Sequence, residues 1–334
     1  MKKEAKKAVK KVAARAVTKG RKKKATNRRG FIKIVAVLVI LVVVAFGVNF
    51  ALGNPLGGHV QTFLENFQIQ EPARVAAEGE IRVHFIDVGQ GDAILLQSDD
   101  NAVLIDGGIN RRAITDSLVA YLRDVGVTRL CYVVSTHPHA DHVGGLPTIL
   151  REFEVDHVLM PDLMHTTNIF AEFLEVIDEK NIPVSMPNRY DENFFSAGII
   201  HMYVVNPGHG PYRASRDLND VSIIIRMVHG ETAFIFTGDA EIPAERRMLE
   251  SGVNISADVM LAGHHGSRTS SHPEFVAAIN PSIAVISVGE GNTYGHPNDE
   301  VLETFAQRNM RVYRTDQLGS IVLVTDGTTI TGPR

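Results

Sequence analysis

From residue 81 onward, short apolar runs alternate with segments of helical periodicity. Runs at 81–88, 93–97, 102–105, 130–135, 155–160, 199–205, 222–228, 233–237, 259–262, 284–288, 312–314 and 320–324 are rich in Val, Ile, Leu and Phe and bounded by Gly, Asp or Asn, which predicts strands. Apolar residues spaced three and four apart predict helices at 111–125, 143–153, 168–180, 243–251, 273–279 and 298–309. Pro243, Pro273 and Pro297 fall at or just before three of these starts, where a missing N–H is tolerated. About a dozen strands do not sit comfortably in one open sheet. Two sheets packed face to face with helices on the outside is the economical α/β arrangement.

Upstream the pattern is of another kind. Residues 31–52, FIKIVAVLVILVVVAFGVNFAL, are unbroken by polar groups from Ile34 to Val48. With its flanks the segment approaches the roughly 20 residues that cross a bilayer, and Lys33 near its end can snorkel to the headgroups. Residues 1–30 hold 14 Lys/Arg and a single acid, Glu4. The positive-inside rule then predicts a single-pass protein of the cell membrane, with residues 1–30 as a basic cytoplasmic arm and the bulk of the chain outside the cytoplasm. The arm either lies on anionic lipid as a helix with a small stripe at Ala5, Val9, Val12, Ala13 and Ala16, or is a positively charged tail that sets topology. Secretion after cleavage near Ala51-Leu52-Gly53 is the alternative to an anchor. Residues 53–80 read as a linker and 81–334 as the catalytic domain. The bilayer is one expected partner, through 31–52; no protein partner is inferable.

Charge sharpens this division. The formal net charge is −4, but residues 31–334 carry 20 basic and 37 acidic residues, a net of −17, together with all 14 histidines. Such a domain lacks the general basic surface that drives non-specific nucleic-acid binding. An apolar fraction of 44% supports a large core, and Cys131, the one cysteine, excludes an internal disulfide.

The chemistry is concentrated at strand ends. His137-Pro138-His139-Ala140-Asp141-His142 follows the apolar run at 130–134. Imidazole and carboxylate in this density suit zinc, iron or manganese. On an extended loop His137 and His139 face one way and share one ion, while Asp141 and His142 lie a step further on, within reach of a second. Two ions about 3.5–4 Å apart are the usual apparatus for hydrolysing phosphoesters. Asp239 ends the run at 233–237 and has two oxygens with which to bridge; a helix-capping role is its alternative. His264 and His265 end the run at 259–262. Asp87 and Asp92 flank a Gly-rich turn, as supports of the site or as turn caps. No helix follows that turn, so neither a dinucleotide fingerprint nor a P-loop is indicated. Asp106 ends the run at 102–105 and is a candidate to orient a ligand histidine.

In order and texture, DVGQGD, LIDGG, STHPHADHVGG, FTGDAE, AGHHGS, SVGEGNTYGHP and RTDQLGS resemble the metallo-β-lactamase superfamily, and most of all the hydrolase domain of ComEC-like competence proteins. The resemblance covers roughly residues 81–327. It implies a four-layer αββα sandwich, here preceded by one N-terminal transmembrane helix, with two divalent metal ions at the sheet edge: zinc, or manganese as the alternative. Carried over, His137 and His139 hold the first ion, Asp141 and His142 the second, Asp239 bridges, and His264 completes the second, with His265 as second choice or in a catalytic role beside Asp141. Many members place a further histidine on the first ion. The equivalent stretch here, Leu218-Asn219-Asp220-Val221-Ser222, has none, so Asn219 or Asp220 stands in, with His209 as runner-up. Asn292, Tyr294, His296 and Ser267 lie where substrate would be gripped; a tight turn before a helix explains the first three equally well.

The expected activity is hydrolysis by attack of a metal-bridged hydroxide on a phosphoester, as a phosphodiesterase or nuclease, with DNA a candidate substrate. Hydrolysis of cell-envelope phosphoesters of the choline-phosphate or teichoic-acid type is the alternative that fits the acidic surface. Lactam or lactone hydrolysis ranks lower, and a non-catalytic metal-binding module is the reading from a different class. The chain lacks the many spans of a DNA channel, so the resemblance points to a hydrolase and not to a transporter.

Overall fold

A computed structural model describes residues 79–163, 165–187, 194–207 and 218–333. The arm, the apolar segment 31–52 and most of the linker fall outside these residues, as does His209. Among the described residues no helix is long and apolar enough to cross a membrane.

Two sheets dominate. The first has eight strands in the order Ile330–Thr331, Ile321–Thr325, Ile81–Phe85, Ile94–Gln97, Ala102–Ile105, Tyr132–Val134, Val158–Leu159 and Val184–Ser185. The second has seven, in the order Arg311–Arg314, Ile283–Ile286, Val259–Leu261, Thr232–Phe236, Ile224–His229, Ile200–Asn206 and Phe194–Ala197. Each sheet is antiparallel on one side and parallel on the other. The parallel half of the first runs from Ala102–Ile105 to Val184–Ser185, and that of the second from Thr232–Phe236 to Arg311–Arg314.

The two-residue side-chain period builds the layers. Val103 and Ile105 pack between the sheets, whereas Ala102 and Leu104 pack on the outer face of the first. Phe234 and Phe236 likewise point inward, and Ala233 and Ile235 outward. Both faces of each sheet are therefore apolar, and each outer face takes a helical layer. Helix Arg112–Asp124 buries Thr115, Leu118, Val119 and Leu122, the i, i+3, i+4, i+7 stripe that a surface helix needs. It shares the first outer layer with Leu146–Glu152 and Asn168–Glu179. Ile242–Ser251, Pro273–Ile279 and Asp299–Gln307 cover the second sheet. The result is the helix–sheet–sheet–helix order that the strand pattern and the family resemblance imply. Helix Ile242–Ser251 starts with a proline in its first turn and stops at Gly252 with φ 69°, where a side chain would be strained.

Departures from the sequence reading have local causes. The run at 130–135 is two strands, because Arg129–Leu130 pairs with Glu154–Val155 in a small separate sheet while Tyr132–Val134 joins the large one. The run at 155–160 divides in the same way. An apolar run does not reveal which neighbour accepts its hydrogen bonds. Val184–Ser185, Phe194–Ala197 and Ile330–Thr331 escape the pattern because they are short and lie at sheet edges, partly in solvent. Residues 140–142, expected to lie on an extended loop, form a helical turn with Val143.

Phe236 sits between the sheets, its ring 6.1 Å from Phe85 and 6.4 Å from Phe234. Phe236→Ala is expected to lower the unfolding free energy by about 3–5 kcal/mol, read by urea denaturation. A change under 1 kcal/mol would contradict this packing.

Candidate metal centre

The parallel halves deliver their loops to a common edge, as open α/β sheets do at the carboxyl ends of their strands. Asp106 follows Ala102–Ile105, residues 135–142 follow Tyr132–Val134, Asp239 follows Thr232–Phe236, and His264 and His265 follow Val259–Leu261. His139 keeps extended backbone at the head of the helical turn Ala140–Val143. Asp141 and His142 are therefore neighbours on a helix, about 100° apart around its axis, and reach one donor group from different sides. Asp141 is partly exposed and faces His265, whereas His142 is fully buried against Asp106. His264 and His265 both have left-handed backbone, at φ 49° and 57°. Two such residues in succession are strained at a cost of about 1–3 kcal/mol each, a feature that clusters at functional sites.

Asp239 lies at the centre, 1% exposed, and its two oxygens serve two sides. Oδ1 is 3.2 Å from His142 Nε2 and 3.5 Å from His265 Nε2. Oδ2 is 3.5 Å from His137 Nε2 and 3.6 Å from His264 Nε2. His265 Nε2 also lies 3.5 Å from Asp141 Oδ2. Two groups of ligand-type atoms share Asp239, each with members within 4.8 Å of one another: Asp141, His142, Asp239 and His265, and His137, His139 and Asp239; a third joins Asp92, Asp106 and His142.

A hydrogen-bond relay sets the tautomers. Asp106 accepts from Thr136 N at 2.8 Å and from Thr136 Oγ1 at 2.6 Å. With its proton committed to Asp106, the Thr136 hydroxyl accepts from His137 Nδ1 at 3.1 Å. His142 Nδ1 donates to Asp106 Oδ2 at 2.8 Å, and His265 Nδ1 donates to the Ser287 carbonyl at 3.0 Å. In all three rings Nδ1 is engaged, so Nε2 is the atom left to face the centre. Buried Asp92 supports the same region, 3.5 Å from His265 Nδ1 and 3.9 Å from His142 Nδ1.

These atoms fit a divalent cation. His142 Nε2, His265 Nε2 and Asp239 Oδ1 are buried without a hydrogen-bond partner, although they converge. His137 Nε2 and His139 Nδ1 lie 3.0 Å apart, and two ring lone pairs at that distance repel unless a proton or a cation lies between them. Protonation equilibria show the same demand for positive charge. Burial opposes a charged His142, yet the Asp239 and Asp106 carboxylates hold its pKa well above the ordinary value. Burial likewise opposes charge on His265, but Asp239, Asp141 and Asp92 push its pKa up to about 10. His137 is driven the other way, by burial and by the charge of His142. Asp239 itself stays well below the carboxylate range, since the facing imidazoles outweigh its burial.

The structure places the other expected residues as follows. The residue grouped with Asp141 and His142 is His265, not His264; the left-handed turn sends His264 to the His137 side of Asp239. Asn219 Oδ1 is buried without a hydrogen-bond partner. Its Nδ2 donates to Glu241 Oε1 at 3.1 Å, and Asp220 is engaged by Glu241 N and the Arg247 side chain. Asp87 is exposed and caps its own turn, accepting from Gly89 N at 3.0 Å. Asn292 spends its amide on its loop, donating to the Gly289 and His296 carbonyls and accepting from Tyr294 N and His296 N, which leaves it nothing for a ligand. Ser267 is buried, with its hydroxyl bonded to Thr269. Tyr294 is 67% exposed and stacks on His296, whose ring is 5.7 Å from that of His264. Sequence reasoning passed over Thr136, whose relay role needs the fold; Glu241, 3.2 Å from His264 Nδ1; and His165, whose ring lies 6.4 Å from that of His139. Glu241 had one signal, its place two residues after Asp239.

The sequence profile of the metallo-beta-lactamase superfamily matches residues 86–290. Among characterised sequences, the chain is 30% identical over 263 residues to ComE operon protein 3 of Bacillus subtilis, covering 74% of this chain and 33% of that protein. It is 28% identical over 285 residues to Competence protein ComA of Neisseria gonorrhoeae, covering 85% and 38%. The chain thus spans about a third of the length of these relatives. Among solved structures, the metallo-beta-lactamase fold protein YhfI from Bacillus subtilis aligns with a TM-score of 0.49 at 14% identity, over 74% of this chain and all of that one.

Two outcomes follow from the geometry. Asp106→Asn removes the acceptor that orients His142, so affinity for a divalent ion should fall about 10- to 100-fold in chelator competition; unchanged affinity would break the relay. The raised pKa values of His142 and His265 mean that the ion-free centre holds protons at pH 7, which an ion must expel. Affinity should therefore weaken as pH falls, and binding should release about two protons into a weakly buffered indicator solution. Release of none would contradict this protonation state.

Proposed function

Because the chain belongs to the metallo-beta-lactamase superfamily, with ComEC-like competence proteins among its relatives, we propose that it is a hydrolase that uses two divalent ions to cleave phosphodiesters. The observation that carries this reading is the division of labour at Asp239. One buried carboxylate directs Oδ1 to His142 and His265 and Oδ2 to His137, which suits a carboxylate bridging two cations. When bound, such ions supply Lewis acidity at phosphorus and a hydroxide nucleophile near neutral pH. Zinc matches the imidazole-rich set, and manganese the carboxylate share.

The chain's own groups do the rest. The Nε2 atoms of His137, His142 and His265 and Nδ1 of His139 are the donors to the ions. Asp141 stands at the mouth of the site with its side chain 30% exposed, where an anionic substrate arrives. Burial opposes the ionised form of Asp141, but the hydrogen bond from His265 and the charge of His142 hold its pKa well below the usual range, so it keeps its charge. Tyr294 on His296 offers an exposed ring on which the organic part of a substrate can rest. Residues 31–52 would anchor the domain, with residues 1–30 in the cytoplasm and the site outside it.

A second reading has its own support. The net charge of −17 over residues 31–334 disfavours a long polyanion and suits small phosphoesters of the cell envelope.

Elemental analysis of the purified full chain, with assays on bis-p-nitrophenyl phosphate and on single- and double-stranded DNA, separates these readings. About two ions per chain and activity abolished by EDTA are expected. Asp141→Ala should cost about 100- to 1,000-fold in rate. Cleavage of the small diester without cleavage of DNA would select the envelope reading. Activity indifferent to EDTA would rule out both.

A further inference from the structure

We propose that Glu245, which belongs to none of the donor groups, is a positioning residue: from the neighbouring helix it holds the far end of the strained turn that carries His264 and His265. The hold itself is independent of what the centre cleaves; its effect on an ion rests on the metal reading above.

Three observations carry it. First, residues 263–272 form a strained turn that closes on itself. His264, His265 and Ser271 have left-handed backbone, at φ 49°, 57° and 58°, and side chains in that conformation persist only where their surroundings hold them. The ends of the turn touch, since a Cβ on Gly263 would fall 2.9 Å from that of Ser270. A shift at 270–272 is therefore felt at the two histidines. Second, Glu245 grips that far end. It lies in the first turn of Ile242–Ser251 and is 2% exposed. Its oxygens accept from Ser271 N at 2.5 Å and from His272 N at 2.9 Å. The Ser271 hydroxyl is buried without a partner and adds nothing to this hold. Third, the hold depends on a proton. Burial, together with the charges of Asp220 and Glu241, pushes the Glu245 pKa up to about 8, against the two N–H bonds, which lower it. The other charged groups around it are Arg247, 3.5 Å from Asp220, and, on the turn side, His272 with Glu274 at 3.9 Å.

Opening the turn would place the carboxyl in water, where its pKa is about 4.3. Between these two values the closed turn binds a proton that the open turn lacks. Rising pH therefore favours opening across that window and has no further effect above it.

Hydrogen exchange of peptides spanning 263–272, on the full chain at pH 6–10 and corrected for intrinsic rates, reads the hold. Zinc titration against a chromophoric chelator reads the positioning, and circular dichroism reports folding. Wild-type protection should fall at least about 10-fold from pH 6 to 8 and less than about 3-fold from pH 8 to 10. Glu245→Gln, isosteric with the protonated acid, should lack that fall; at pH 9 it should be better protected than wild type and bind zinc more tightly. Glu245→Ala should lose protection at every pH and bind zinc about 10-fold more weakly at pH 7. Should the alanine variant fail to fold, wild type and Glu245→Gln still decide. Parallel pH dependence in those two overturns the proton-dependent hold. Altered exchange with zinc affinity unchanged in the variants overturns the positioning. A wild type that binds no zinc defeats the metal reading and the positioning with it, while the exchange series still judges the hold.

Discussion

A buried, ionised carboxylate is the constraint on which this molecule turns. Asp239 is 1% exposed at the common edge of two packed sheets, where an unpaired charge costs several kcal/mol. Among the described residues, the ion pairs of Asp239 are all with histidines. The compensation comes from imidazoles on two loops, and imidazoles can hold either protons or a metal ion. The pKa values of His142 and His265 rise for this reason. In an ion-free centre protons balance Asp239, and a divalent cation would balance it better.

The fold serves that balance in two ways. Both sheets are parallel on the side of the centre, so their strands all end at one edge and deliver Asp106, His137, His142, Asp239 and His265 within a few residues of rigid backbone. Rigid backbone alone would leave the rings free to rotate. The relay from His137 through Thr136 to Asp106, with His142 on the same carboxylate, removes that freedom. Asp106 is therefore costly to bury and yet is buried completely. Its own hydrogen bonds offset the cost, and the return is a fixed direction for two Nε2 lone pairs.

Much of this was legible in the chain. Strand and helix periodicity places most elements within a few residues, because layers buried on both faces impose uninterrupted apolar runs. The dense His-Asp loop, Asp239 and the His264–His265 pair identify themselves by residue type at strand ends. The supporting role of Asp106 is also readable, from its place at the end of a buried strand. Edge strands such as Phe194–Ala197 were not legible, since one solvent-facing side erases their pattern. Nor was the helical turn at Ala140–Val143, which replaces the expected extended backbone and yet keeps Asp141 and His142 in one donor group.

The sequence by itself determined the ligand types, their order along the chain and the two-sheet architecture that gathers them, because these depend on residue chemistry and periodicity alone. Only the tertiary structure decided which histidine goes to which oxygen of Asp239. That choice rests on φ at His264 and His265, and a left-handed turn of two histidines leaves no mark in residue identity. The same holds for Asn292 and Ser267, whose polar groups suggest substrate but are consumed by their own loops. Hydrogen-bond partners are settled by what lies opposite in space, and that is fixed only once distant strands meet.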